Sequence, residues 1–220
     1  MVRQANKAKL DKAHAATHGR LLDASAEVFA EVGFRAATVR EICERAGANI
    51  AAVNYHFGDK ERLYAEVLKT AYVRALHKYP VDFGLPKNAT IEQRLEVFVR
   101  SFLLRVFDEG PHSHHGKLMA REMIEPTAAL DSIVHTVMGR QAQAIMNIVH
   151  DLLGHSATEE RCRLCGMSVV SQVLFYHNCR PVISRMFPTM KFGPKEIERL
   201  AAHITRFSLA ALRNYSEATR

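Results

Sequence analysis

The chain has 220 residues, enough for one medium domain or for a small domain joined to a larger one with a sizeable core. No apolar run approaches the ~20 residues that span a bilayer. The polar start from Met1 to Thr17 has no signal-peptide core, so a cytoplasmic protein with no membrane partner is expected. A net charge of +7 favours polyanionic partners without proving one.

Residues 1–20 carry five basic side chains, Arg3, Lys7, Lys9, Lys12 and Arg20, against Asp11 alone. Residues 1–16 are therefore expected to be a basic flexible arm, either plainly solvated or laid along nucleic-acid phosphates or into a minor groove. Apolar residues then recur at three- and four-residue spacing and alternating β-branched runs are absent, so the fold class is all-α.

The first periodic helix is expected from Thr17 to Val32, stopped by Gly33. Thr38-x-x-Glu41 reads as a capping box that opens a second helix, whose inner face is Val39, Ile42, Cys43 and Ala46 and whose end is Gly47. A short third helix, capped by Asn49, ends near Phe57. Gly58-Asp59 is a turn with an N-cap for a fourth helix running from Lys60 to about Tyr79.

Pro80, Gly84 and Pro86 mark the boundary between a head at 17–80 and a larger body at 81–220. Five further helices are expected in the body, at 90–107, 115–125, 127–154, 157–179 and 194–216. The helix at 127–154 has one apolar stripe (Leu130, Ile133, Val134, Val137, Ile145, Val149, Leu152). The last helix has another, with Ile197, Leu200, Ile204, Phe207, Ala211 and Leu212. The helix at 157–179 is apolar on more than one side, so it sits centrally or meets a second subunit.

A capped helix, a Gly turn, a short second helix and a Lys-led helix start over Thr38 to Lys60 make a helix-turn-helix. Its second helix would present Ala51, Ala52 and Asn54 outward, with Val53 and Phe57 facing the core. Small residues let a helix sit deep in the major groove, and an Asn side chain can pair with one base edge, adenine most naturally. Tyr55, Thr38 and the amides at helix starts suit phosphate oxygens. Packing and capping by Asn54-Tyr55-His56 is the plainer alternative.

The run Ala51-Ala52-Val53-Asn54-Tyr55-His56-Phe57-Gly58-Asp59-Lys60-Glu61-Arg62-Leu63, with Thr38-Val39-Arg40-Glu41-Ile42 before it, resembles the DNA-binding head of the tetracycline-repressor (TetR) family over residues 18–66. The resemblance implies that Thr38, Tyr55, His56 and Lys60 touch backbone phosphate. It also implies that Ile50, Ala51, Ala52 and Asn54 read bases; Arg40 and Asn49 complete the expected DNA-binding set. Met119 to Pro126 and Gln172 to Tyr176, with His203 to Leu209, resemble the C-terminal domain of CecR-type regulators. Beside these likenesses, a homodimer held by the helices at 157–179 and 194–216, packed as a four-helix bundle, is expected. It would bind a pseudo-palindromic double-stranded operator, repress export or detoxification genes, and be released by a small amphipathic effector.

Candidate effector-binding residues are Arg121, Glu122 and Glu125 on one helix, with Gln172, Tyr176 and His177 lining the same space if the helix at 157–179 faces inward. Ordinary surface pairing and packing is the other reading of these six. An enzyme reading starts from His112, His114 and His115, three possible metal ligands in a probable loop. No carboxylate or Cys stands at ligand spacing, so no metal, no cofactor and no catalysis are expected. An architectural DNA-binding protein without a ligand is a further alternative. Cys162-x-x-Cys165 has the form of a redox or zinc half-motif, but no second ligand pair accompanies it. Helix packing is its simpler reading and a redox role the other.

Overall fold

The computed structural model describes the backbone of residues 2–110, 113–154 and 157–217, and side chains within 12–215 of those. His112 and the side chains of Arg3, Lys7, Lys9 and Asp11 lie outside the described residues. The elements are α1 (Val2–Ala36), α2 (Val39–Ala46), α3 (Ile50–Phe57), α4 (Lys60–Lys78), α5 (Ile91–Val106), α6 (His115–Ile124) and α7 (Ala129–Ile133). A π-helical turn (Val134–Met138) follows, then α8 (Gly139–Leu153), α9 (Glu159–Asn178), α10 (Arg180–Met186) and α11 (Pro194–Glu217). The described residues are all-α, with no strand among them.

Three sequence expectations change. The stretch 2–16, expected as a flexible arm, is helical and continuous with α1. The helix expected over 127–154 is α7, a π turn and α8, and the extra residue of π winding turns Val134 outward while Ile133, Val137 and Ile145 stay buried. The short α10, entered through Pro181 in its first turn, has no counterpart among the expected helices.

The chain divides into two compact units, Met1–Arg74 with Glu109–Thr136, and Ala75–Asp108 with Val137–Arg220. This differs from a boundary at Pro80, because α6 and α7 are bonded into the head. Arg121 donates to the carbonyls of Ala30 (3.1 Å) and Glu31 (2.5 Å) at the end of α1. Glu122, fully buried, accepts from Tyr64 of α4 (2.8 Å) and from the amide (2.7 Å) and hydroxyl (2.9 Å) of Thr127. The Arg121 and Tyr64 bonds have a sequence separation that local spacing does not reveal.

In the first unit, Leu21, Leu22, Val28 and Phe29 of α1 are buried, as are Ile42 of α2, Val53 of α3, and Leu63 and Leu68 of α4. Each such side chain contributes roughly 1.5–3 kcal/mol of burial free energy. Gly33 has φ 82° and ψ 170°, a backbone open to Gly alone, and breaks α1 where the sequence predicts a stop. In the second unit, α5 opens with a reciprocal Thr90–Gln93 capping box. Its Leu95, Phe98, Val99 and Leu103 pack with Ile145 and Val149 of α8, Val169 and Val173 of α9, and Leu200 and Ile204 of α11. The guanidinium of buried Arg105 donates to Tyr79 O (2.6 Å) and Ser101 Oγ (3.1 Å).

Candidate nucleic-acid interface

The recognition segment is fixed by its ends. Thr38, in extended backbone, accepts from the Glu41 amide at 3.1 Å and so opens α2. The carboxylate of Glu41 is turned to Arg45, 3.8 Å away, so the Thr38 half of the expected capping box is the one that forms. Gly47, in left-handed backbone (φ 59°, ψ 43°), closes α2 by donating to the Cys43 and Glu44 carbonyls. Asn49 Oδ1 accepts from the Ala51 amide at 3.0 Å and opens α3. Asp59 then accepts from the Arg62 amide at 2.7 Å and caps α4. Caps at both ends allow α3 to hold its shape over only eight residues, too few for helix stability alone.

Ile42, Cys43 and Ala46 of α2 and Val53 and Phe57 of α3 are buried, which fixes the rotation of α3. Ile50, Ala51, Asn54 and Tyr55 are left outward, Tyr55 at 71% exposure, with Ala52 and His56 half-buried. The hydroxyl of Thr38 accepts in the cap but retains its own proton to donate, and Asn49 likewise retains its amide N–H groups. Exposed Arg40 pairs with Glu44 at 2.9 Å, an ion pair weak enough to be exchanged for a phosphate.

Lys60 is placed differently from the sequence expectation. Its ammonium donates to Phe34 O and Ala37 O, both at 3.0 Å, and lies 4.5 Å from the Phe34 ring centre. Two of its three donors thus hold the carboxyl end of α1, where the helix dipole favours a cation. Two α1 residues outside the expected set have rings that reach α3. His14 lies 5.5 Å from Tyr55, and His18 stacks on Phe57 at 4.6 Å. Their i, i+4 spacing within a basic stretch was the available signal.

The six candidate effector residues fall in both compact units. Arg121, Glu122 and Glu125 belong to the first unit, and Gln172, Tyr176 and His177 to the second. Arg121 and Glu125 line a cleft of about 370 Å³ with Val32, Gly33, Tyr64 and Ile124, but the Arg121 guanidinium is already bonded to α1. Exposed Glu125 faces Arg35 at 3.9 Å. Gln172 donates to Ser168 O (3.2 Å) and Ser208 Oγ (3.0 Å), which ties α9 to α11. His177 packs its ring edge-on to Phe107 at 5.4 Å, and burial holds its pKa below the usual histidine value. Tyr176 lines a separate groove of about 720 Å³ beside Met186, Leu200, His203 and Arg206.

His115, expected in a loop, is buried in the first turn of α6 with its ring 4.8 Å from Tyr72. No cluster of potential metal ligands is present among the described residues. Cys162 is buried and Cys165 half-buried, and burial raises both thiols above the ordinary cysteine value, which disfavours the reactive thiolate. No helix among the described residues is long and apolar enough to cross a membrane.

Comparison with known proteins agrees with this geometry. The family described as "Bacterial regulatory proteins, tetR family" matches residues 21–67. That described as "HTH-type transcriptional dual regulator CecR, C-terminal domain" matches residues 91–212. The chain is 27% identical over 143 residues to the HTH-type transcriptional regulator SrpR of Pseudomonas putida, a match covering 65% of this chain and 62% of SrpR. It is 43% identical over 104 residues to the HTH-type transcriptional repressor KstR2 of Mycobacterium tuberculosis, covering 46% of this chain and 47% of KstR2. The matches thus span less than two thirds of either relative.

Its fold is similar to that of the Bacillus subtilis transcriptional regulator FadR, crystallised with stearoyl-CoA, at a TM-score of 0.66 and 14% identity. That likeness covers 87% of this chain and 97% of FadR. The relatives are transcriptional regulators and not enzymes, in keeping with a capped helix-turn-helix that presents Asn54 and Tyr55. On these grounds the chain belongs to the tetR family of DNA-binding transcriptional regulators, with a C-terminal domain of the CecR type.

Proposed function

We propose that the protein is a ligand-responsive repressor that binds a pseudo-palindromic operator as a homodimer. The observation that carries the DNA-reading part is the outward face of α3, where Ala51 and Asn54 are exposed beside Tyr55. Methyl groups reach thymine there, the Asn54 amide reads one base pair, and Tyr55 contacts phosphate. Dimerisation places two such helices in successive major grooves ~34 Å apart. Repression is supported by likeness to KstR2, named a repressor.

The dimer surface is the outer face of α9 and α11. Leu164, Met167 and Phe175 of α9 and Phe207 of α11 are exposed, Phe175 at 57% and Phe207 at 61%. Large apolar side chains in such a row are what a second copy would cover. The effector is a small, mostly apolar molecule, and the Tyr176 groove offers apolar walls with Arg199 and Arg206 among its lining. It acts through its difference in affinity between two states of the dimer. The regulated genes, by likeness to CecR-type regulators, are of the export or detoxification class.

Asn54→Ala and Tyr55→Ala separate base reading from phosphate contact. Asn54→Ala should lower preference at one base pair of the site by ~1–3 kcal/mol, whereas Tyr55→Ala should weaken all duplexes alike. Equal loss on every duplex for Asn54→Ala would contradict its role as a base reader.

A further inference from the structure

The DNA-facing side of α3 carries an unusual neighbour. His14 and His18 stand one turn apart on α1, and both lean on α3. The His14 ring lies 5.5 Å from Tyr55 and 6.0 Å from His56, and the His18 ring lies 5.7 Å from His56. His56 in turn meets Tyr55 edge-on at 5.1 Å. Three imidazoles thus gather beside exposed Tyr55 of the recognition helix, His14 itself exposed and the other two half-buried.

Six carboxylates of the neighbouring elements are engaged elsewhere, and Glu61 in the first turn of α4 is a further acidic side chain there. On α1, Asp23 pairs with Arg74, and Glu27 and Glu31 with Arg45; on α2, Glu41 also faces Arg45 and Glu44 pairs with Arg40. At the start of α4, Asp59 pairs with Arg62, and Lys60 is held on α1 carbonyls. The other charged side chains described on this part of α1, Lys12 and Arg20, are cationic. Burial and the charges of His18 and His14 push the His56 pKa below its usual value. Among the described residues none of the three imidazoles is ion-paired, and a phosphate brought to Tyr55 supplies an anion.

We propose that His14, His18 and His56 form a proton-linked phosphate-binding patch, in which contact with the DNA backbone drives proton uptake by the imidazoles. This rests on the DNA-binding reading of α3 and adds two α1 residues to it. Linkage sets the sign. If the bound complex holds more protons than the free protein, affinity for DNA rises as pH falls through the histidine range. Neutral imidazoles at higher pH leave only uncharged hydrogen bonds. Because backbone contacts carry no sequence information, the effect extends to any duplex.

The test is fluorescence anisotropy of the full chain with a short mixed-sequence duplex at fixed low salt, at two pH values. The wild type should bind at least about tenfold tighter near pH 6 than near pH 8. His14→Lys fixes a charge at an exposed position, so it should raise affinity at the higher pH and cut the ratio to about twofold or threefold. The double variant His14→Gln/His18→Gln should lose most of the ratio by losing the gain at the lower pH. Because His18 stacks on Phe57, His14→Lys is the primary arm and does not depend on that packing. A wild-type ratio near one, or a ratio unchanged in His14→Lys, overturns the proposal. No binding at either pH overturns the reading of α3 itself, and the patch with it.

Discussion

The hydroxyl of Tyr64 on α4 donates to the carboxylate of Glu122 on α6 at 2.8 Å, and both residues are buried. Burial and the adjacent carboxylate push the Tyr64 pKa far above the usual tyrosine value, so the phenol remains a donor at any working pH. Thr127 supplies the other two donors to Glu122, and the neighbouring Arg121 grips the end of α1. Two consecutive residues of α6 therefore hold α1, α4 and the turn into α7 as one unit. Tyr64→Phe removes one donor and leaves a buried carboxylate short of a partner. It should cost about 1–3 kcal/mol in urea unfolding. A loss below about 0.3 kcal/mol would show that the bond is not needed.

Gly33→Ala probes the same place from α1. The added methyl meets Arg121 Nη1 at 3.1 Å, and the residue has φ 82°. The substitution should destabilise the protein by roughly 1–3 kcal/mol, read as a lower urea midpoint with an unchanged slope. Unchanged stability would mean that α1 can break without a left-handed residue.

Phe207→Glu places a charge in the apolar row on α9 and α11. The wild type should sediment at twice 24.8 kDa at micromolar concentration, and the variant as a 24.8 kDa species with its helical signal retained. A wild type that is already monomeric, or a variant that remains dimeric, contradicts the assignment of this face.

Histidine 177 gives a pH prediction. Its folded pKa lies below the unfolded value, chiefly through burial, with the Arg180 charge adding to it and the Asn178 hydrogen bond opposing. The unfolded chain therefore binds more protons in acid, and stability present above about pH 6.5 is lost as pH falls through the folded pKa. His177→Gln should flatten the fall in Tm between about pH 7 and pH 5. An identical fall in the variant would locate the acid sensitivity elsewhere.

Much of the head was legible from the sequence because its signals are local. Thr38, Asn49 and Asp59 cap through side-chain oxygens and Gly47 through left-handed backbone, and the periodicity of Ile42, Cys43, Ala46, Val53 and Phe57 fixes what α3 presents. Arg121 and Glu122 were legible as unusual but not in role, because their partners are 90 and 58 residues away in the chain. Phe207 fits the apolar stripe of α11 yet points outward, since periodicity finds an apolar face without saying what covers it. Lys60 shows the same limit, for a cation at a helix start suits a phosphate equally with the end of a preceding helix.

The most direct test of operator recognition is selection of bound duplexes from a random DNA pool, repeated across salt concentrations. A dimer reading two half-sites should enrich an inverted repeat, with half-sites one helical turn or a multiple apart, and bind it far more tightly than the bulk pool. No enrichment, with only weak and steeply salt-dependent binding, would contradict a specific regulator and leave the architectural alternative.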